Sequence, residues 1–205
     1  MEFEAVVFDL GGVVIDLERQ RCIDAFRSLG FTDVEQYLDQ YTQRGEFFLL
    51  ETGAITAAEF YDRLRPLCPL AKCDVDIQDA FNKFLVKLPV ERLDALRSLK
   101  EKCKVFALSN TNPVMYNSWI CDAFRQQGMH IDDYFHGIIA SFREGCCKPA
   151  HRIFHILAER YGLDPKRTLY LDDSENNCIA AAETGLRTEH VTPDNSMLHI
   201  VSKLF

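Results

Sequence analysis

The chain has 205 residues, of which 47% are hydrophobic and 26% are charged, as in an ordinary globular protein. This length suits one domain with a large insertion or two small domains. The formal net charge of −8 argues against a broad nucleic-acid surface. The eight cysteines form no CxxC pair, so we expect reduced, mostly buried thiols.

The N-terminus has no basic stretch followed by an apolar run, and no run approaches the ~18 apolar residues of a membrane span. We therefore expect a cytoplasmic protein that has no signal peptide and no membrane partner.

Short apolar runs predict buried strands. The first run, residues 4–10, stops at Gly11 and Gly12 and resumes at 13–15 as a second strand or a hairpin. Similar runs follow at 104–108, 137–140, 168–171 and 186–191.

Helical periodicity lies between these runs, at residues 91–102, 150–161 and 179–184. Gly162 marks the end of the second helix, and Asn112 followed by Pro113 is typical of a helix start. From residue 89 onward helices and strands alternate, which predicts a parallel sheet with helices on both faces.

Residues 17–88 contain no convincing strand, and helices are predicted at 19–29, 33–41, 56–64 and 74–86. Thr56 and Glu59 form a T-x-x-E capping box. We expect residues 1–16 and 89–205 to form an α/β core and residues 17–88 to form an inserted helical cap.

Polar side chains follow the predicted strands, where open parallel sheets bind their ligands. Asp9 follows the first strand, Ser109 and Asn110 follow the second, and Asp172 and Asp173 follow the fourth. Each alone is typical of a turn or a helix cap.

Lys148 lies just beyond the third strand, so a lysine and three carboxylates converge at one edge. Burying three carboxylates together is costly unless a cation offsets their charge. Magnesium, which prefers oxygen ligands, suits such a site.

Four stretches in this order resemble the motifs of the haloacid dehalogenase-like (HAD) hydrolases. They are FDLGGVVID with Asp9, LSNTN with Ser109, CKP with Lys148, and LDDSENN. The resemblance covers nearly the whole chain. It implies an α/β, Rossmann-like HAD core with an inserted α-helical bundle as a C1-type cap. LETGAIT resembles a stretch of the FDLGGV-type subgroup, which includes glucose-1-phosphate-type sugar phosphatases.

The resemblance implies a Mg2+-dependent phosphatase that acts on small phosphorylated metabolites. Asp9 would attack phosphorus and form an aspartyl phosphate. Magnesium would be held by Asp9, the main-chain carbonyl of Gly11 and Asp173. Asp172 would bind the metal directly or orient its ligands.

The same resemblance assigns the phosphoryl oxygens to Lys148, Ser109 and the backbone amide of Asn110. Lys148 would also keep Asp9 ionised. Asn177 would orient the metal shell from the following helix turn.

One position departs from most phosphatases of this family, which carry a second aspartate two residues after the nucleophile. Here that residue is Gly11. General acid–base help is typically worth 10²–10⁴-fold, so we expect a substrate with a good leaving group, such as a sugar 1-phosphate. Asp16 is a tempting replacement acid, but we expect it to end the hairpin and cap the next helix.

Three other functions are compatible with such a scaffold. A 2-haloacid dehalogenase needs no cation, and the paired Asp172 and Asp173 argue against it. A phosphomutase relies on the second aspartate, so Gly11 argues against that. A non-catalytic binding or regulatory protein is favoured only by Gly11.

The remaining candidates are predicted to be structural. His151 and His155 would be packing or surface residues, and Trp119 would be core. Phe47 and Phe48 are also predicted core residues, although residues 44–48 lie where a cap would close over substrate. Cys146 and Cys147 beside Lys148 are expected to be inert thiols, with oxidation that slows catalysis as the alternative.

Overall fold

The computed structural model describes residues 3–204. Five parallel strands form the central sheet. In chain order they are β1 (Ala5–Phe8), β4 (Lys104–Ser109), β5 (Gly137–Ala140), β6 (Thr168–Asp172) and β7 (Arg187–His190). Their order across the sheet is β5-β4-β1-β6-β7. The parallel sheet is therefore confirmed.

The segments between the strands are helical, as the alternation predicts. They are α5 (Val90–Lys100), α6 (Pro113–Met115), which continues through π-helical Tyr116–Ile120 into α7 (Cys121–Phe124), α8 (Ile131–Tyr134), α9 (Ser141–Glu144), α10 (His151–Tyr161), α11 (Glu175–Glu183) and α12 (Met197–Leu204). Asn112 caps α6, and Gly162 ends α10 in the left-handed conformation.

The sheet is covered on both faces. Alternate residues of β1 point in opposite directions, so Val6 and Phe8 join one hydrophobic cluster while Ala5 and Val7 join another. No helix within residues 3–204 has the length and apolar character to cross a membrane.

The segment after β1 differs from its prediction. Residues 12–14 form a tight turn, and Ile15 makes an isolated bridge with Gly11. The Gly12 amide donates to the Ile15 carbonyl (2.8 Å), and the Ile15 amide donates to the Leu10 carbonyl (2.7 Å). Asp16 does not cap the next helix, which is capped by Glu18, and it forms an ion pair with Arg92 (2.8 Å).

The insert contains four α-helices within the described residues: α1 (Arg19–Ser28), α2 (Gly45–Glu51), α3 (Ala57–Leu64) and α4 (Asp74–Asn82). The Thr56–Glu59 capping box is present. The predicted helix at 33–41 is wrong, since only a 3-10 turn (Val34–Gln36) forms there.

The prediction of an insert without strands is also wrong. β3 (Leu85–Lys87) pairs antiparallel with β2 (Asp16–Leu17). The two crossings between core and insert lie side by side, and pairing satisfies their backbone polar groups. This ribbon lies at the predicted boundaries of the insert, which stay a prediction.

An aromatic cluster fills the insert. The ring of Phe47 lies 5.5 Å from that of Phe26, 5.2 Å from Phe60 and 5.0 Å from Phe81, measured between centroids. Phe47 is therefore core, as predicted, but Phe48 is 42% exposed. Trp119 is partly buried and packs against the main core.

We expect Phe47→Ala to lower the free energy of unfolding by about 3–5 kcal/mol, because it removes the ring at the centre of this cluster. Phe48→Ala is the matched control and should change stability by less than about 0.5 kcal/mol. Equilibrium urea unfolding measures both, and equal losses would contradict the assignment of the core.

Candidate functional site

The strand order brings the predicted site residues to one edge of the sheet. β1 lies between β4 and β6, with Phe8 opposite Ala107 on one side and Leu171 on the other. Asp9 follows β1 directly, Ser109 ends β4, and Asp172 ends β6. Asp9 is thus flanked by the ends of both neighbours.

Lys148, on the loop between α9 and α10, is buried at the centre of this edge. Its Nζ lies 2.9 Å from Asp9 Oδ2 and 2.7 Å from Asp172 Oδ2, and it donates to the Leu108 carbonyl (3.1 Å). Burial alone would lower the pKa of Lys148, but the charges of Asp172 and Asp9 raise it above its usual value.

Asn110 holds the lysine loop in place. Its Oδ1 accepts from the Lys148 amide (2.8 Å), and its Nδ2 donates to the Lys148 carbonyl (2.9 Å). Both polar groups of the Asn110 side chain are thus used to hold this loop. The Ser109 hydroxyl is buried beside it and makes a long contact with the Asn110 carbonyl (3.4 Å).

Asp172 is fully buried and surrounded by donors. Its Oδ1 accepts from the Ser174 amide (2.8 Å) and Asn177 Nδ2 (3.0 Å). Its Oδ2 accepts from Lys148 and from the Tyr170 hydroxyl. Burial would raise the pKa of Asp172, but the Lys148 charge and these hydrogen bonds lower it overall.

Asp9, Asp172 and Asp173 place one carboxylate oxygen each within 4.8 Å of one another. Burial raises the pKa of Asp9 well above its usual value, against the opposing charge of Lys148. Burial and the charge of Asp172 raise the pKa of Asp173 to about 6. Three carboxylates around one lysine leave excess negative charge, which fits a divalent cation with oxygen ligands.

Two glycines make room at this edge. A Cβ on Gly12 would lie 2.1 Å from Asp173 Oδ2, and its φ of +72° already disfavours other residues. A Cβ on Gly11 would lie 3.0 Å from the Leu17 side chain. Leu17 therefore occupies the space next to the missing second aspartate.

A cleft opens above these residues and is lined by both the core and the insert. The core lines it with Asp9, Gly11, Ser109, Asn110, Lys148 and Asp173, among others. The insert adds Gln40, Tyr41, Gln43, Glu51, Phe81 and Phe84. Residues 44–48, the predicted specificity segment, do not line it, and neither does Asp16.

Several site residues were missed by sequence reasoning. Tyr170 lies two residues before Asp172 in the same strand. Because side chains alternate between the two faces of a sheet, the sequence predicts that both residues point to the same face. Gly12 directly follows Gly11, whose main-chain carbonyl is predicted to bind magnesium. Gln43 and Glu51 lie in the insert, where no motif distinguishes them.

The other candidates lie apart from the site. His151 and His155 are exposed, and His151 pairs with Glu183 (2.7 Å), in agreement with a surface role. All eight cysteines, which lie within the described residues, are free thiols. Only Cys22, Cys68 and Cys178 are buried, so the expectation of mostly buried thiols is wrong.

Comparison with known proteins identifies the family. A family model for haloacid dehalogenase-like hydrolase matches residues 3–185. D-ribitol-5-phosphate phosphatase of Bacteroides thetaiotaomicron is 34% identical over 184 residues, which cover 89% of each chain. The chain therefore belongs to the HAD-like hydrolases, and the resemblance of its four motifs is confirmed.

Solved structures of HAD family enzymes have the same fold as this chain. A wild-type HAD family enzyme from B. thetaiotaomicron, in complex with magnesium and inorganic phosphate, has a TM-score of 0.89 and 38% identity over 97% of this chain and 98% of its own. L-2-haloacid dehalogenase from Xanthobacter autotrophicus, at 16% identity, has a TM-score of 0.60 over 98% of this chain and 88% of its own. That likeness extends to the fold alone.

The Asp173 charge should destabilise the metal-free fold. Because its folded pKa of about 6 exceeds the ~3.9 of an unfolded aspartate, stability falls as pH rises from about 4 to above 6. We expect Asp173→Asn to raise the free energy of unfolding by about 1–3 kcal/mol at pH 7.5 without metal, and by much less at pH 4.

Urea unfolding at both pH values measures this effect. Exposed Asp194 offers the control, since Asp194→Asn should stay within about 0.5 kcal/mol of the wild type. If Asp173→Asn were destabilised at pH 7.5, burial and the Asp172 charge would not be destabilising the ionised Asp173.

Proposed function

We propose that this protein is a magnesium-dependent phosphatase that hydrolyses small phosphorylated sugars and polyols through an aspartyl phosphate on Asp9. The observation that carries the proposal is Lys148 Nζ, held 2.9 Å from Asp9 and 2.7 Å from Asp172 at the floor of an open cleft. A buried cation beside a buried carboxylate nucleophile suits an anionic, phosphorylated substrate.

Magnesium fits the carboxylates of Asp9 and Asp173 and the main-chain carbonyl of Gly11. Both oxygens of Asp172 already accept hydrogen bonds, so Asp172 holds Lys148 and orients the cluster instead of binding the ion directly. The bound ion neutralises the charge of the phosphoryl group. The magnesium and phosphate bound by the B. thetaiotaomicron enzyme support this arrangement.

Residues of the protein itself bind the phosphoryl group and form the bond to phosphorus. Lys148, the Ser109 hydroxyl and the Asn110 amide donate to the phosphoryl oxygens and orient phosphorus toward Asp9. An Asp9 oxygen forms the new bond to phosphorus while the bond to the leaving oxygen breaks. Water then attacks the same phosphorus and releases phosphate and the free Asp9 carboxylate.

The substrate class rests on two observations. The 34%-identical relative is named for D-ribitol 5-phosphate, a polyol with its phosphate on a primary alcohol. In the cleft, the buried Gln43 Oε1 has no hydrogen-bond partner among residues 3–204, and it offers an acceptor for a substrate hydroxyl. Gly11 favours a sugar 1-phosphate, so the class includes both kinds of ester.

We expect phosphate release from a panel of sugar 1-phosphates, polyol phosphates and p-nitrophenyl phosphate to require magnesium and to stop with EDTA. Asp9→Asn should lower turnover by about 10⁴-fold or more, because no nucleophile remains. Asp194→Asn is the control and should keep full activity. Equal rates for wild type and Asp9→Asn would favour a binding protein, and EDTA-resistant halide release from 2-haloacids would favour a dehalogenase.

Gln43→Met should raise the KM for a polyol phosphate about tenfold, the equivalent of one hydrogen bond at ~1.4 kcal/mol. The KM for p-nitrophenyl phosphate, which has no such hydroxyls, should stay unchanged. Exposed Gln36 supplies the control variant, Gln36→Met. Equal changes in KM for both substrates would rule out hydroxyl recognition by Gln43.

A further inference from the structure

Glu51 is a buried carboxyl group that the steps above do not use. It ends α2 in the insert, is 7% exposed, and lines the same cleft as Asp9 and Lys148. Of the carboxyl groups that line the cleft in residues 3–204, Asp9 and Asp173 belong to the cation cluster. Glu51 is the one that does not.

The backbone around Glu51 is fixed against the core. A Cβ on Gly53 would lie 2.0 Å from the Phe142 carbonyl oxygen, so the chain can pass there only as glycine. The Cys147 thiol contacts the Glu51 carbonyl at 3.9 Å. These contacts hold Glu51 at the junction of insert and core, on the wall of the cleft that also contains Asp9 and Lys148.

The surroundings of Glu51 suit proton exchange. Burial raises its pKa to about 7, against the opposing effects of the Cys147 thiol and the Lys148 charge, which are the titratable groups acting on it. A carboxyl group with such a pKa is populated in both forms at neutral pH, as an acid–base catalyst requires. The pKa of Cys147 is itself raised, first by burial, so the thiol stays protonated.

We propose that Glu51 is the general acid and base of this enzyme and supplies the function that Gly11 cannot. This inference rests on the proposed phosphatase activity. As Asp9 forms its bond to phosphorus, the proton of Glu51 passes to the leaving oxygen, and an alcohol departs. The Glu51 carboxylate then takes a proton from the attacking water, so that phosphate leaves and both carboxyl groups return to their starting states.

This role removes the need for a good leaving group. An alkoxide is a poor leaving group without a proton, whereas p-nitrophenolate departs unaided. With Glu51 as the acid, esters of primary alcohols, such as a terminal polyol phosphate, become substrates. The rate advantage from Glu51 should therefore grow with the pKa of the leaving alcohol.

The test compares Glu51→Gln with wild type in single turnovers with magnesium, with release of the alcohol as the readout. For ribitol 5-phosphate we expect a loss of ~10²–10⁴-fold. For p-nitrophenyl phosphate we expect a loss below tenfold in the same step. The wild-type rate on ribitol 5-phosphate should fall as pH rises through about 7, because the acid form is lost, and Glu51→Gln should lack that decline.

Glu46→Gln, on the same helix but outside the cleft, is the matched control and should keep wild-type rates. Thermal unfolding checks that both variants fold. Glu51→Asp, which keeps the acid but withdraws it by one methylene, should lose less than Glu51→Gln and retain the decline with pH.

Equal losses on both substrates, or a pH decline that survives in Glu51→Gln, would overturn the proposal. Failure of the phosphatase function itself looks different, because Asp9→Asn would then match wild type on every ester. If Asp9→Asn is inactive and Glu51→Gln is fully active on ribitol 5-phosphate, the phosphatase assignment stands and the role of Glu51 falls.

Discussion

The buried contact of Lys148 with Asp9 and Asp172 is the constraint on which the rest of the site depends. Taking all three groups out of water is unfavourable for their charged forms. Lys148 and the surrounding hydrogen bonds lower the pKa of Asp172, whereas burial keeps the pKa of Asp9 raised. The loss of Lys148 would leave two buried carboxyl groups without a compensating charge. The donors around Asp172, from Tyr170 and Asn177 among others, follow from this, because a buried carboxylate must use all its oxygens.

The fold supplies this contact by strand order. Because β1 lies between β4 and β6, the residue after it faces the ends of two strands at once. Lys148 lies on a separate loop. Two hydrogen bonds between the Asn110 side chain and the Lys148 main chain fix that loop to the end of β4. Gly12 then leaves room for Asp173 to approach. The cluster thus depends on four distant segments of chain that have no local reason to meet.

The sequence predicts this core well and the insert poorly, for physical reasons. Apolar runs and glycine stops define β5 and α10 to within a residue, and the charge at the end of the first strand reveals Asp9. In the insert, the ribbon of β2 and β3 forms only because two crossings of the chain lie together, which is a tertiary effect. The same is true of Glu51, whose burial depends on docking against Cys147 and not on its own neighbours in sequence.

The position of Glu51 in the insert also has an electrostatic reason. A carboxyl group beside a divalent cation is held ionised when the metal binds, so Asp173 could not keep a proton to donate. An acid with a pKa near 7 must lie in a buried place away from that ion. The insert provides such a place, and it also lines the cleft with Phe81 and Phe84. In the proposed mechanism, the core therefore carries the charges that hold the phosphate, and the insert carries the group that exchanges a proton.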